Sequence, residues 1–230
     1  MPPAIVEARQ LAMNFGATPV LRAVDLRLEA GRGAIITGGN GAGKSTLLKL
    51  LAGINSPSHG QALLFGTEAR ALAAGQRRRV GLMTHQSFLY PNLTARENLE
   101  FYASLYELRA PRDAAERWLT RVGLAAAAGE RVRALSRGME QRLSAARALI
   151  HEPEALLMDE PFAGLDSGGV AIVGALIKEA LARKSAVLMT AHGALAIEGV
   201  ELERFELSRG CLAAPKAEPR TGRLRSLLGG

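Results

Sequence analysis

The stretch GGNGAGKST, residues 38–46, constrains this chain more than any other part of its sequence. It fits the pattern G-x-x-x-x-G-K-[ST], follows the apolar run AIIT and precedes the helix-forming run STLLKLLAG, which is the setting of a phosphate-binding loop. Glycines let backbone N–H groups turn toward phosphate oxygens, a lysine supplies a cation, and a serine offers a hydroxyl to Mg²⁺. We therefore expect ATP or GTP to bind at Gly38, Gly39, Asn40, Gly41, Ala42, Gly43, Lys44, Ser45 and Thr46.

Short apolar runs alternate with helical runs along most of the chain, as in ALLMDE followed by GGVAIVGALIKEALAR. Continuous apolar strands separated by helices favour a mostly parallel sheet with helices on both faces. The early run AVDLRLEAG instead alternates apolar and charged residues, which predicts a small antiparallel sheet. We predict an α/β fold with a P-loop NTPase core and a small N-terminal antiparallel subdomain.

The stretch between about residues 87 and 150 is almost wholly helical in pattern. Its run TARENLEFYASLYEL opens with Thr94 followed three residues later by Glu97, which is the signature of a capping box. We predict that this stretch is an α-helical subdomain inserted into the core.

The composition of the chain and of its two ends indicates its domain organisation and cellular compartment. We expect one domain over residues 1–210 and a basic, flexible tail over 211–230, because the end is rich in Pro, Gly and Arg. No run of about eighteen apolar residues is present, and MPPAIVEARQ lacks the pattern of a signal peptide. The one cysteine, Cys211, excludes an internal disulfide and suits a reducing cytoplasm.

The net charge of +7 is carried almost entirely by arginine in an alanine-rich chain. This is typical of a compositional bias, and the densest basic clusters are RRR at residues 77–79 and the tail KAEPRTGRLRSLLGG. We expect no nucleic-acid partner.

Two carboxylates, Asp159 and Glu160, follow an apolar run in ALLMDEP. Ligands of open α/β sheets gather at the carboxyl ends of the strands. There, Asp159 suits a magnesium shell and Glu160 suits a general base for a water in line with the γ-phosphate. Alone, such a pair more often caps a turn, and it is the phosphate loop that favours the catalytic interpretation.

His192 and Gln86 also follow predicted strands, AVLMTA and VGLMT. From the same sheet edge, the imidazole of His192 can bond the γ-phosphate and the attacking water. Without this setting, either residue reads as a polar turn or loop residue.

The stretch DSGG, residues 166–169, matches a D-x-x-G pattern used by GTPases. No N-K-x-D stretch is present to read guanine, so we expect ATP rather than GTP.

A second anion site is predicted at LSRGMEQRLSAARAL, residues 135–149, where Ser136 and Gly138 begin an amphipathic helix. The hydroxyl and the helix dipole present donors and partial positive charge to an anion.

Taken in order, GGNGAGKST, Gln86, LSRGM, LLMDEP, AGLD and His192 resemble the ATP-binding subunit of ABC transporters over nearly the whole chain to about Gly210. The resemblance implies that LSRGM is the signature motif, which binds the γ-phosphate of a nucleotide held by a second subunit. Two copies, head to tail, then enclose two ATP molecules with Mg²⁺, and a free chain is a poor ATPase.

The same resemblance implies roles for three further residues. Phe15 in MNFGA stacks on adenine, although a core aromatic is an equal alternative, and Asp166 in AGLD couples the two nucleotide sites. Gln86 joins the catalytic set with Glu160 and His192, and joins Ser45 and Asp159 in the magnesium shell.

The chain departs from the commonest family pattern at three positions. Arg137 and Met139 stand where Gly and Gln are usual, and Gly193 stands where an acidic residue is frequent. Arg137 either assists phosphate binding or faces solvent.

The sequence HQSFLYPNLTARENLEFYASLY is similar to the corresponding part of the ATPase of the haem exporter of cytochrome c maturation. The resemblance implies an integral membrane permease as partner, docked near Phe88, Leu89, Tyr90 and Leu93, and a cytoplasmic, peripheral location at the inner membrane. These apolar residues also suit the core of the insert.

Other family members remain as alternatives. Drug and polysaccharide exporter ATPases are similar, and an inactive structural subunit is disfavoured by Glu160 and His192. Soluble ABC ATPases that act on DNA or ribosomes carry a long coiled coil or a second ATPase unit, and the sequence has neither.

Overall fold

The computed structural model describes residues 3–193 and 195–213. The strands are β1 (Ala4–Phe15), β2 (Thr18–Glu29), β3 (Gly33–Thr37), β4 (His59–Leu64), β5 (Thr67–Glu68), β6 (Val80–Met83), β7 (Ala155–Met158), β8 (Ala186–Ala191), β9 (Leu202–Ser208) and β10 (Cys211–Ala213). The α-helices are α1 (Lys44–Leu51), α2 (Ala74–Arg77), α3 (Ala95–Leu105), α4 (Pro111–Arg121), α5 (Arg137–Leu149) and α6 (Ser167–Ala182).

The larger sheet has the order β10-β9-β3-β8-β7-β6, and its strands from β9 to β6 are parallel. Strands β7 and β8 are buried almost throughout, because apolar side chains cover both of their faces. Parallel strands end at the same edge, so the loops after β3, β6, β7 and β8 meet there. The predicted α/β core is confirmed.

The smaller sheet is antiparallel, in the order β2-β1-β4-β5. In β2 the buried residues Val24, Leu26 and Leu28 alternate with the exposed residues Asp25 and Arg27. This alternation confirms the antiparallel subdomain expected from AVDLRLEAG.

Three helices, α3, α4 and α5, lie between β6 and β7, within the stretch 87–150. Helix α3 begins with the predicted capping box: the Thr94 hydroxyl accepts from the Glu97 N–H at 3.1 Å, and the Glu97 carboxylate accepts from the Thr94 N–H at 2.8 Å. Apolar residues of these helices share one core with β6, β7 and β8. The helical stretch is thereby fixed to the edge of the parallel sheet.

The boundary expected at residue 210 is wrong by at least three residues. Cys211–Ala213 form β10, which pairs antiparallel with β9 after a tight turn at Gly210. The main chain of β9 offers free ladder positions, and β10 satisfies them. The rest of the predicted tail, residues 214–230, lies outside the described residues.

Among the residues that the structure describes, no helix is both long and apolar enough to cross a bilayer.

His151, just after α5, is a buried histidine whose pKa is lowered to about 4, chiefly by burial. Its Nε2 lies 3.2 Å from the Val80 carbonyl, to which it donates, and its ring stacks on Tyr106 at 3.7 Å. Its Nδ1 is buried with no partner among the described residues. A second proton on this ring is therefore disfavoured in the folded state.

We predict that this histidine makes the fold sensitive to acid. The pKa is about 6.5 in the unfolded chain, so only the unfolded chain gains a proton as pH falls from 6.5 to 4. The unprotonated His151 contributes fully to the free energy of unfolding above pH 6.5. As pH falls from 6.5 to 4, this free energy of unfolding declines by about 3 kcal/mol. Urea unfolding followed by circular dichroism measures the free energy of unfolding between pH 6.5 and 4. This free energy should decline less steeply in His151→Phe, which keeps the stacked ring, than in wild type.

The matched control is His59→Gln, at an exposed histidine of β4. This variant should keep the wild-type pH dependence. A His151→Phe profile parallel to wild type contradicts the prediction.

Candidate nucleotide-binding site

The loop of residues 38–43 joins β3 to α1 and requires glycine at two positions. Gly43 is the N-cap of α1 with φ of 104°, in the left-handed region that disfavours side chains. A Cβ on Gly38 would lie 2.3 Å from the Leu207 carbonyl oxygen, because β9 passes directly beside the loop. Backbone packing, as well as ligand access, thus explains these glycines.

Lys44 is a buried cation at the first position of α1, with 5% of its surface exposed. Its Nζ donates to the carbonyls of Gly38 at 2.8 Å and Gly39 at 3.2 Å. These dipoles only partly compensate a buried charge, so the loop attracts an anion. Around Lys44, Gly39, Asn40, Gly41 and Ser45 are exposed, while Ala42 and Thr46 are half-buried.

A cavity of about 170 Å³ opens beside Ser45 at the carboxyl edge of the parallel sheet. Its walls come from four places along the chain. They are Ser45, then Thr84, His85 and Ser87 after β6, then Arg137, Glu140 and Gln141 of α5, and Asp159, Glu160 and Ala163 after β7.

Asp159 and Glu160 reach this cavity from the end of β7. Asp159 is buried, its N–H donates to the Met83 carbonyl at 2.8 Å, and its Oδ1 accepts from the Thr190 hydroxyl at 2.6 Å. The Glu160 backbone has φ of 51°, and its N–H donates to the same hydroxyl at 3.1 Å. The two adjacent residues therefore have different carboxylate partners: Thr190 bonds that of Asp159, and His192 lies beside that of Glu160.

His192 lies beside Glu160, with its Nε2 2.7 Å from the carboxylate Oε1. It follows β8, as the sequence suggested, and about half of its side chain is exposed. An Nε2–H donated to Glu160 leaves Nδ1 as an acceptor in the neutral imidazole. The pair can orient a carboxylate that faces the cavity.

Gln86 is not among the cavity-lining residues, although Thr84, His85 and Ser87 are. The chain turns at this point because the Thr84 hydroxyl donates to the Gln86 carbonyl at 2.8 Å. The Gln86 side chain is left exposed. Its predicted place beside the magnesium shell is therefore not the place this structure gives it.

The residues predicted to form a second anion site lie at the start of a helix, while their binding of an anion stays a prediction. Ser136 is the N-cap of α5, and its hydroxyl accepts from the Met139 N–H at 3.3 Å. Ser136 is exposed and Gly138 half-buried, and neither lines the cavity of its own chain. Arg137 is exposed and also lines the cavity, so its assistance in phosphate binding stays a prediction.

Two further predicted residues lie away from the cavity walls. Asp166 is the N-cap of α6, where its carboxylate accepts from the Gly169 N–H at 2.8 Å. Phe15 ends β1 with 53% of its surface exposed, which excludes the alternative of a core aromatic.

Sequence reasoning missed two residues that shape the site. Thr190 holds both Asp159 and Glu160, and its only signal in the sequence is a hydroxyl near the end of an apolar strand. Gln141 donates to the carbonyls of Glu160 at 3.1 Å and Pro161 at 3.3 Å. That contact depends on how α5 packs against the loop after β7, and no local pattern predicts it.

Comparison with known proteins places this geometry in a family. Residues 21–163, more than half of the chain, match the family model described as ABC transporter. The cytochrome c biogenesis ATP-binding export protein CcmA of Xanthomonas campestris pv. campestris (strain 8004) is 36% identical over 206 residues, covering 89% of this chain and 94% of that protein.

Relatives with other names are nearly as similar. The Nod factor export ATP-binding protein I of Cupriavidus pinatubonensis is 35% identical, covering 82% of this chain and 59% of that protein. The probable multidrug ABC transporter ATP-binding protein YbhF of Escherichia coli (strain K12) is 35% identical, covering 70% of this chain and 28% of that protein.

Solved structures share the fold. An ATP binding subunit of an ABC transporter superposes with a TM-score of 0.81 at 26% identity, covering 91% of this chain and 90% of that one. The dimeric bacterial ABC transporter cassette MJ0796 superposes with a TM-score of 0.82 at 24% identity, covering 93% and 100%. The chain therefore belongs to the ABC transporter family, as an ATP-binding domain that acts as an ATPase.

Proposed function

We propose that this chain is the Mg²⁺-dependent ATPase subunit of an exporter, and that the exporter is the haem exporter of cytochrome c biogenesis. The observation that carries the catalytic part is the convergence of Ser45, Asp159 and Glu160 on one cavity at the mouth of the phosphate loop. The observation that carries the haem assignment is the 36% identity with CcmA over 94% of that protein.

The donor set at the cavity fits Mg²⁺. Ser45 offers a hydroxyl and Asp159 a carboxylate, both oxygen ligands. No cluster of three or more His, Cys, Asp or Glu residues suited to a metal occurs in the described part of the chain. That suits Mg²⁺, which takes one or two protein oxygens and completes its octahedron with water and phosphate. Bound there, Mg²⁺ supplies charge stabilisation to the phosphates.

Glu160 acts as the general base in this proposal. Its carboxylate accepts a proton from the attacking water, while His192 fixes one carboxylate oxygen and leaves the other for that water. The backbone at Glu160 is held by Thr190 and Gln141. Lys44 stabilises charge on the phosphates.

The signature residues act in trans. Ser136 and Gly138 lie at the start of α5 and do not line the cavity of their own chain, so in this proposal their donors serve a nucleotide on a second copy of the chain. Asp166 stands at the N-terminus of α6 near the same surface and couples the two sites. Phe15, exposed at the end of β1, is available to stack on adenine.

A membrane permease docks on an apolar patch of the helical stretch. The patch consists of Phe88, Tyr90, Phe101 and Leu105, each more than 40% exposed. Leu89 and Leu93, which the sequence grouped with this patch, are buried and half-buried. A cluster of exposed large apolar side chains is typical of a protein contact. In this arrangement the chain works at the cytoplasmic face of the inner membrane.

The Nod factor and multidrug relatives keep two other export functions as alternatives. Substrate contacts in such complexes lie in the membrane partner, so the identity of that partner separates the three.

We predict that Glu160→Gln binds ATP but hydrolyses it slowly, because the amide accepts no proton from water. The rate should fall by about 100-fold or more. Size-exclusion chromatography with ATP and Mg²⁺ should then show a stable dimer.

The matched control is Glu130→Gln, at an exposed carboxylate in the loop before α5. It should hydrolyse ATP as wild type does and should not accumulate as a dimer. A Glu160→Gln chain that stays monomeric with saturating ATP contradicts the enclosed-dimer mechanism.

Mixing two inactive variants tests the trans arrangement. Ser136→Arg places a bulky side chain at the start of α5, and Lys44→Ala removes the phosphate-loop cation of another chain. In a mixed dimer one site combines an intact phosphate loop with an intact signature, so a 1:1 mixture should recover about a quarter of the wild-type rate. Steady-state phosphate release measures the rate.

Each variant alone, at the same total concentration, is the control for the mixture. A mixture no more active than the sum of its parts shows that the signature does not act on the partner's nucleotide.

We predict that tagged Glu160→Gln, purified from native membranes with ATP, brings down a polytopic cytochrome c maturation subunit. Mass spectrometry identifies the partner, and Phe101→Glu in the apolar patch should abolish the capture by placing a charge in the contact. Recovery of another permease keeps the ABC transporter function but replaces haem as the assigned substrate. Recovery of ribosomal or DNA-bound proteins alone rejects the transport function.

A further inference from the structure

Arg147 in α5 is a buried cation that the site described above does not use. It is 4% exposed, and its two terminal nitrogens donate to main-chain carbonyls rather than to a carboxylate. Burial lowers the pKa of its guanidinium. A charge held in this way is costly unless its hydrogen bonds are well placed, so the neighbours of Arg147 indicate what it does.

The two carbonyls belong to the segment that runs from β6 to the cavity. Nη1 donates to Leu82 at 2.6 Å and Nη2 donates to Ser87 at 3.1 Å. The guanidinium therefore bridges Leu82 and Ser87 within the segment of residues 82–88. A planar fork with several donors can make both bonds at once.

Aromatic rings and a second donor hold the far end of this segment. The Arg147 guanidinium lies 5.4 Å from the centroid of the Phe88 ring and 5.7 Å from that of Tyr102. The Tyr102 hydroxyl donates to the Phe88 carbonyl. Phe88 has φ of 54°, a left-handed conformation that a bulky residue keeps only when its surroundings enforce it.

One face of α5 converges on Ser87. The Ser87 hydroxyl donates to Glu140 at 2.8 Å, and its carbonyl accepts from Ser144 at 3.4 Å as well as from Arg147. Positions 140, 144 and 147 share a helix face. Ser87 lines the nucleotide cavity, so α5 fixes the wall of the cavity from behind.

We propose that Arg147 is a positioning residue for ATP hydrolysis, which holds residues 82–88 so that Thr84, His85 and Ser87 stay at the cavity wall. The inference rests on the proposed function of the cavity. Arg147 touches no substrate and acts through this segment. The same grip connects the segment to Phe88, a member of the apolar patch.

The test compares Arg147→Lys with wild type. Lysine keeps the charge but lacks the fork, so it cannot bond Leu82 and Ser87 together. We expect kcat to fall about tenfold, with KM for ATP within about twofold, because Lys44 and the phosphate loop are untouched. Hydrogen exchange should quicken at the amides of residues 84–88.

The matched control is Arg142→Met. Arg142 is a second arginine of α5 that donates to main-chain carbonyls, those of Val122 at 2.6 Å and Gly123 at 3.1 Å, away from the segment 82–88. Its loss should lower the melting temperature without changing kcat per folded chain.

Every outcome decides the proposal. A folded Arg147→Lys with wild-type kcat overturns it, as does an Arg142→Met variant with the same loss of kcat. A wild-type chain without ATPase activity overturns the proposed function, and this role of Arg147 falls with it. If the wild type is active but Arg147→Lys does not fold, hydrogen exchange in the wild-type chain decides. Protection of residues 84–88 equal to that of α5 supports the proposal, and exchange as fast as in an exposed loop overturns it.

Discussion

Parallel pairing of β3, β8, β7 and β6 is the constraint on which the rest of the structure depends. The register sets Met158 beside Met189 and Met83, so the residues just beyond these strands meet at one edge. Ser45, Thr84 and Asp159 are far apart in the chain, and they line one cavity because the parallel strands end at the same edge of the sheet. The site is therefore a property of strand order, because its walls are built from segments that follow different strands.

Thr190 shows how finely that edge is arranged. Its hydroxyl donates to the Asp159 carboxylate and accepts from the Glu160 N–H, so one oxygen fixes two adjacent acidic residues. A buried hydroxyl that uses both its donor and its acceptor in this way adds rigidity without leaving a polar atom unpaired. Glu160 can then turn toward His192 while Asp159 stays with the strand.

Helix α5 carries two of the features on which the proposals depend. Its N-terminus carries Ser136 and the cation of Arg137, and its later turns hold Ser87 and the carbonyl of Leu82. The segment of residues 82–88 lies between the cavity and the apolar patch, and both are attached to the same helix.

The sequence by itself determined the phosphate loop, the alternation of strands and helices, the capping box at Thr94 and the order of motifs that marks the family. These follow from local spacing, because backbone geometry and helix capping act over a few residues. Only the tertiary structure decided that Gln86 is exposed, that Thr190 joins the two carboxylates, that Arg147 spans residues 82–88 and that β10 extends the sheet. Each of these features depends on how elements distant in the chain pack together, which strand order and helix packing determine. No local sequence pattern carries that information.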